Sequence, residues 1–419
     1  MADKKILRVG VMGTLRGATY VNQFSEREDS VVTAVCDFNP KSLEHVKEQI
    51  EKYNITVFNN FDDFIESGLF DAVMLANYFY EHVPFAIRAM EKGIHVLSEC
   101  TPALTMAECV ELCRAVERTG CKYMLAENYP FMASCVEMKR RYETGKFGRA
   151  IYCEGEYNHP VNVRDKNSLS PGRLHWRNWL PRPYYITHAL APILYMTNNE
   201  LAAVNCKSVF APENLNGTAC VVGDLASIIF CEMKDGSLAR VTGCSAWGGH
   251  GTWYRLCGEK GNMQGVREDS MKIRVQYDSW NTPEGEETCY IADAKWDADE
   301  SKNEEILKAG HGGGDWWVAE EFAKYILEDK KPFFNVYRSV SMSAAAILAL
   351  RSSYNNGVEY KIPDFTKEED RKKWENDHDS PFPDENGKAT MPCCSHPDFQ
   401  RTEEDYAKAE ADWREMGLI

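Results

Sequence analysis

Over its first 127 residues the chain alternates short apolar runs rich in β-branched residues with segments whose apolar positions recur at helical spacing. Residues 6–12 and 31–36 are the first two runs, and each reads as a buried strand. Asn39 and Pro40 open a helical segment over 43–50 that Asn54 closes, and 62–65 predicts a short helix. A strand over 71–76, a helix over 82–92 stopped at Gly93 and a strand over 94–98 follow. The helix predicted over 106–118 carries Cys109, Val110, Leu112, Cys113 and Val116 on one stripe, and Gly120 ends it before a strand at 122–126. Strands and helices in alternation, with short connections, predict a parallel sheet with right-handed crossovers.

Beyond Glu127 the rhythm changes. One more helix is expected at 136–142, and then 150–157, 202–209, 227–233 and 238–242 alternate apolar and polar residues. Strands in succession with few helices between them predict a mainly antiparallel sheet with one covered face. Helices are expected again at 316–327 and 339–351. After residue 365 the composition turns charged and proline-dotted, with a helix only at 403–416. The expected division is a nucleotide-binding domain at 1–127, an α+β substrate-binding and oligomerisation domain at 128–365, and a C-terminal arm at 366–419. That arm either lies over the domain or a neighbouring subunit, or is a flexible appendage.

The first strand runs into Gly10-Val11-Met12-Gly13-Thr14-Leu15-Arg16-Gly17, a variant spacing of glycines at a strand-to-helix turn. Such a turn lets backbone N–H groups and a helix N-terminus approach a pyrophosphate that side chains would obstruct. Asp37 ends the second strand, 37 − 17 = 20 residues after the last glycine, where a carboxylate can accept hydrogen bonds from an adenosine ribose. Gly10, Gly13, Thr14, Leu15 and Asp37 are therefore the first candidates for holding a dinucleotide. An acid at 37, followed by Phe38 and no base, repels a 2′-phosphate and favours NAD(H) over NADP(H). The alternative is a glycine-rich turn in an ordinary α/β domain.

Charge narrows the partners. With 48 basic and 64 acidic residues the formal net charge is −16, which argues against nucleic acid or an anionic membrane surface. A neutral or cationic small molecule fits better. The 15 cysteines are scattered, without a C-x-x-C pair, and Cys393, Cys394 and His396 lack zinc spacing, so no metal site is expected. They read as reduced core thiols. No long apolar segment follows the first residues and none reaches membrane-spanning length, so the expected location is the cytoplasm.

Taken together, Gly10 to Gly17, Ala34 to Pro40, His82, Gly93 to Glu99, Ala126 to Asn128, the run Tyr185-Ile-Thr-His188 and Cys257 to Gly261 resemble the Gfo/Idh/MocA family, named for glucose–fructose oxidoreductase, inositol dehydrogenase and a rhizopine catabolism protein. The resemblance spans roughly residues 5 to 365. It implies an α/β protein with an N-terminal Rossmann domain and a C-terminal α+β domain whose predominantly antiparallel open sheet often forms an oligomer interface. A homo-oligomer, dimer or tetramer, follows. It also implies a bound nicotinamide cofactor, with Asn77, His82, Glu99 and Asn128 as further contacts and Glu99 at the nicotinamide ribose. The substrate it implies is a sugar, cyclitol or glycoside in the interdomain cleft. One departure stands out: where family dehydrogenases read Glu-Lys-Pro, this chain reads Ser98-Glu99-Cys100-Thr101-Pro102, and the lysine is missing. The run from Tyr185 to Pro192, with His311, Gly312, Gly313, Gly314 and Asp315 downstream, is similar to the branch that includes NAD-dependent glycoside hydrolases and glycoside 3-dehydrogenases.

Taking a hydride from a sugar carbinol needs a base for the hydroxyl proton, a nicotinamide about 3–3.5 Å from the carbon, and exclusion of water. His188 is the first candidate base, because imidazole titrates nearest neutral pH. Tyr185 lies three residues earlier and on a helical turn would project the same way. The alternative is a structurally hydrogen-bonded histidine. Trp176, Arg177, Tyr184 and His250 belong to aromatic and basic clusters that suit a sugar, while His311 and Asp315 border a glycine-rich helix start. Two enzyme readings result: an oxidoreductase moving a hydride to and from a ring carbinol, expected at C3, or a redox-neutral glycosidase or lyase working by transient C3 oxidation, elimination and water addition. A non-catalytic dinucleotide sensor is the third reading.

Overall fold

A computed structural model describes residues 5–211, 221–296, 298–384 and 386–419, which form two compact units. The first comprises Met1–Ala133, Trp296–Val340 and Phe365–Asn376; the second comprises Ser134–Lys295, Ser341–Asp364 and Asp377–Ile419.

In the first unit β1 (Leu7–Met12), β2 (Ser30–Cys36), β3 (Thr56–Phe58), β4 (Ala72–Leu75), β5 (His95–Ser98) and β6 (Tyr123–Leu125) form one parallel sheet in the order β3-β2-β1-β4-β5-β6. Val9, Val11 and all of β4 are fully buried, which is why these strands read as continuous apolar runs. The helix expected over 43–50 is instead two short helices, Pro40–Leu43 and Lys47–Tyr53, around a 3-10 turn. Only Val46 is buried there, so no continuous apolar face holds one straight helix.

The first unit is not one stretch of chain. The helix expected at 316–327, assigned by sequence to the second domain, is Gly314–Glu328 and packs in the first unit. Phe322 meets Phe24 edge-on at 6.2 Å, and Glu320 pairs with Arg27 at 2.6 Å. Immediately after it, Leu125 N–H donates to the Phe334 carbonyl and Asn335 bridges Met124, covering the otherwise open edge of β6.

The second unit holds β7 (Ala150–Asn158), β8 (Leu201–Val209), β9 (Ala226–Met233), β10 (Leu238–Gly243), β11 (Gly251–Gly258), β12 (Gly261–Val266), β13 (Asp269–Tyr277), β14 (Cys289–Asp293) and β15 (Tyr360–Lys361), in the order β14-β13-β12-β11-β7-β10-β9-β8-β15. All neighbours are antiparallel except β7 and β10. The four alternating segments read from sequence are β7 to β10. Strands β11 to β14 were not separable there, because glycines bound β11 and β12 and most of β14 is polar or exposed.

Helix Thr187–Thr197 lies on the covered face of this sheet, and two glycines set how close it comes. A Cβ on Gly155 of β7 would sit 2.1 Å from the Ala189 carbonyl oxygen; one on Gly243 of β10 would sit 2.4 Å from that of Arg182. The C-terminal residues pack on the second unit. Trp413 is fully buried and donates to the Asn167 carbonyl at 3.0 Å, and Ser395 bonds Asp224. For these residues the flexible-appendage alternative is excluded.

Gly155→Ala should lower stability by roughly 1–3 kcal/mol or more, since the new methyl meets backbone. Denaturant midpoints of variant and parent check this; equal midpoints would refute the close approach.

Candidate functional site

In the first unit the turn after β1 is built for an uncapped helix start. Gly13 adopts φ 86°, and a Cβ there would lie 2.5 Å from the Ala76 carbonyl oxygen. The N-cap residue of helix Thr14–Ser25, Gly13, has no side chain to cap it, and the N–H groups of Leu15 and Arg16 have no carbonyl one turn back. Asp37 is already engaged: its carboxylate accepts from Thr14 N–H at 2.7 Å, Thr14 Oγ1 at 2.9 Å and Asn39 N–H at 2.8 Å, so it also braces the turn. Gly10 packs under Phe64 and Phe70 and has a structural place. Asn77 follows β4 and donates to Glu81, leaving its buried Oδ1 without a partner. His82 is buried, its Nδ1 is 3.0 Å from the Thr101 carbonyl, and burial pushes it down to about 4, so it is neutral at physiological pH.

Beyond β5 and β6, a buried carboxylate gathers side chains from three other segments. Asp315, fully buried in the first turn of helix Gly314–Glu328, accepts from Arg16 Nη2 at 2.8 Å and Asn128 Nδ2 at 2.7 Å, and His311 Nδ1 lies 2.7 Å away. Arg16 Nε also lies 2.7 Å from Glu99, whose other oxygen accepts from Cys100 N–H. Burial pushes Asp315 up, but the His311 hydrogen bond and the Arg16 charge outweigh it and hold the carboxyl well below the usual range. Likewise Glu99 and Asp315 hold Arg16 firmly charged against its burial.

His311 and Asp315 thus join the cofactor candidates Glu99 and Asn128, and Gly313 takes the helix cap position that Asp315 had as its alternative role. Arg16 was missed as a site residue although it stands inside the glycine run. A base there with no acid nearby in sequence was the available signal. The uncapped helix start, together with the partnerless buried oxygens Asn77 Oδ1 and Asn128 Oδ1, suits a polar ligand such as a dinucleotide.

The second unit gathers aromatic rings and imidazoles on its covered face. Tyr157 ends the buried row of β7, and Tyr185 and His188 lie on the segment that Gly155 and Gly243 admit against the sheet. Tyr157 stacks with Tyr185 at 5.8 Å between centroids, and each makes a T-shaped contact with His188 at 4.9 Å and an interplanar angle of 82°. His159 lies 5.8 Å from Tyr157 and 4.6 Å from His250.

One proline fixes this arrangement. Pro192 has no N–H for the carbonyl four residues back, which belongs to His188, and Tyr254 of β11 donates its hydroxyl to that carbonyl at 2.6 Å instead. Trp176 and Arg177 pair by a cation–π contact at 4.4 Å. Tyr184 is not with them: it is fully buried, edge-on to Phe382 at 6.0 Å, which is a core position. Tyr157 and His159 were missed, because a tyrosine on an alternating strand reads as core and a lone histidine after it carries no pattern.

Residues 7–127 match the oxidoreductase family Gfo/Idh/MocA, NAD-binding Rossmann fold, and residues 251–375 match the glycosyl hydrolase 109 C-terminal domain. An α-N-acetylgalactosaminidase of Shewanella oneidensis is 24% identical over 405 residues, covering 87% of this chain and 86% of that protein. Among solved structures, an oxidoreductase from Agrobacterium radiobacter in complex with NAD+, L-tartaric acid and magnesium superposes with a TM-score of 0.68 at 14% identity, covering 85% of this chain and 98% of its own. Levoglucosan dehydrogenase in complex with NADH and levoglucosan gives 0.66 at 18%, covering 86% and 100%. At these identities the two structures establish the fold.

Asp315→Ala takes from Arg16 one of its two carboxylates and leaves the buried Asn128 Nδ2 without its acceptor, and should cost about 1–3 kcal/mol, read by chemical denaturation; a loss under about 0.5 kcal/mol would remove the carboxylate from its central place. Because the folded-state value is depressed, this stability is present above the unfolded carboxylate range of about 4 and is lost as pH falls toward the folded value. Acid unfolding of Asp315→Asn should therefore depend less on pH below about 4 than that of the parent. Tyr254→Phe leaves the His188 carbonyl unsatisfied and should cost about 1–3 kcal/mol by the same assay.

Proposed function

Because the chain joins a Gfo/Idh/MocA NAD-binding Rossmann domain to a glycosyl hydrolase 109 C-terminal domain, we propose that it is an NAD-dependent enzyme acting on glycosides, in which a hydride is withdrawn from a ring carbinol, expected at C3, and returned. The observation that carries this reading is the Tyr157, Tyr185 and His188 ring cluster, an acid–base group in a chain that also carries a dinucleotide-binding domain. When bound, NAD accepts and returns the hydride. In the first unit the open N–H groups of Leu15 and Arg16 would meet the pyrophosphate, Asp37 the adenosine ribose, and Glu99, fixed by Arg16, the nicotinamide ribose.

The remaining work is proton chemistry. His188 takes the carbinol proton, with Tyr185 as relay, and oxidation at C3 acidifies the C2 proton so that the group at C1 leaves by elimination. Addition of water at C1 and of a proton at C2 gives the 3-keto sugar, and return of the hydride to C3 with the proton held by His188 restores the carbinol. No flanking carboxylate pair is required, in contrast to ordinary glycoside hydrolysis. Redox-neutral turnover is preferred over net oxidation because of the glycosyl hydrolase 109 match and the α-N-acetylgalactosaminidase relative. Net oxidation is kept as a second reading, favoured by the levoglucosan dehydrogenase likeness. Among the described residues no helix is long and apolar enough to cross a membrane. Phe230, Leu238 and Ile291 are exposed on sheet strands, which supports self-association through that sheet, and a cytoplasmic homo-oligomer is part of the proposal.

Incubation with a panel of nitrophenyl glycosides and NAD+ below substrate concentration tests this directly. Nitrophenol in excess of NAD+ without lasting NADH is the expected result; NADH in proportion to an oxidised sugar, the glycosidic bond intact, would replace it with net dehydrogenation. His188→Ala should keep NAD+ affinity and lose about 10²–10⁴ in turnover. A fully active variant would remove His188 from the chemistry.

A further inference from the structure

The reaction proposed above moves one proton more than its residues account for. His188 holds the carbinol proton from the departure of the hydride until its return, so the C2 proton lost in between must pass to a second base. The run from His311 to Asp315, conspicuous in the sequence, has no part in that reaction so far. Within the first unit its geometry is that of a histidine made ready as a base. His311 Nδ1 lies 2.7 Å from Asp315 Oδ2, and the pair runs from the interior outward: the Asp315 side chain is 1% exposed and that of His311 41%.

Asp315 decides which ring nitrogen is the base. Against burial, the hydrogen bond from His311 and the Arg16 charge hold its carboxyl well below the usual range, so it remains an acceptor and Nδ1 carries the ring hydrogen. A neutral imidazole donates through one nitrogen and accepts through the other, which leaves the lone pair on Nε2, away from Asp315. A base turned by a buried carboxylate in this way is the arrangement of general-base histidines. The loop holds the ring in place: His311 takes φ 46° between Gly310 at 95° and Gly312 at 61°, a region that side chains disfavour. A Cβ on Gly314 would lie 2.3 Å from the Asn128 carbonyl oxygen, so the loop sits directly against the end of β6. Asn128 Nδ2 donates to Asp315 at 2.7 Å, which fixes the amide and leaves its buried Oδ1 without a partner. Arg16 carries the same network to Glu99 at the end of β5. Ligands of an open parallel sheet bind at this edge, and the nicotinamide ribose was assigned to Glu99 above.

Resting on the function proposed above, the geometry points to His311, oriented by Asp315, as the base that removes the C2 proton of the glycoside. Nε2 takes the proton while the C2–H electron pair becomes the C1–C2 double bond and the C1–O pair leaves with the aglycone, to which the proton then passes. On the return, Nε2 takes a proton from the water that adds to C1 and delivers it to C2, so His311 ends as it began. Asp315 is a positioning residue: it sets the tautomer and receives no proton itself.

The test uses the full-length protein with NAD+ and nitrophenyl glycosides in D2O, following NADH absorbance in a single turnover, nitrophenol release and deuterium at C2 of the sugar by mass spectrometry. The parent should release nitrophenol and place deuterium at C2. His311→Asn suits the positive φ and can still donate to Asp315 but lacks Nε2. It should bind NAD+ like the parent by calorimetry and still form NADH in a single turnover, while nitrophenol release and C2 exchange each fall about 10²–10⁴-fold. Free imidazole added to His311→Gly should restore part of the exchange, which a merely structural role would not allow. In cofactor-free protein labelled with 15N-histidine, the ring signal missing from His311→Asn should report hydrogen on Nδ1, and Asp315→Asn should shift it; hydrogen on Nε2 overturns the dyad. Parent-like release and exchange in His311→Asn overturns the assignment, as does loss of NADH formation together with cleavage. A parent that neither reduces NAD+ nor cleaves a glycoside, or that oxidises the sugar without C2 exchange, strikes the proposed reaction itself.

Discussion

A carboxylate removed from water must be surrounded by donors, and in the first unit that requirement organises everything near the nucleotide turn. Asp315 draws in Arg16 from the glycine run, Asn128 from the end of β6 and His311 from the loop before its own helix. Its partner Arg16 then reaches Glu99 at the end of β5. Segments up to 299 residues apart in sequence are thereby held by one buried charge. The chain's return to cover the edge of β6 is what brings that carboxylate in. Fold completion and site assembly are one event here.

The parallel sheet was legible, apart from the short, unburied β3, because its other strands are largely buried and its helices stop at residues suited to a left-handed turn, Asn54 and Gly120. The glycine run and Asp37 were legible for the same reason, since backbone geometry at a tight turn restricts residue choice. The origin of helix Gly314–Glu328 was not. Its apolar stripe states that it packs, and nothing local states against which sheet. In the second unit alternation revealed β7 to β10, while β11 and β12, bounded by glycine, and the unburied β14 gave no comparable signal; β13, whose buried row is Ile273, Val275 and Tyr277, carried the signal and was missed.

The candidate site divides in the same way. His188 and Tyr185 were found because their spacing on one turn is visible in sequence. Tyr157 and His159 reach the same cluster through strand pairing, which sequence alone does not show, and Tyr184, expected among the sugar-lining residues, is turned inward to the core.

Pro192 separates the helix Thr187–Thr197 into two mechanical parts. Before it, the carbonyl of His188 is fastened to β11 by the Tyr254 hydroxyl; after it, the helix is held by its own ladder and its apolar packing. The imidazole is thus registered to the sheet and insulated from its own helix. The later turns, buried through Ile193, Leu194 and Met196, are bound by shape alone, whereas the first turn is bound by shape and by a directed hydrogen bond.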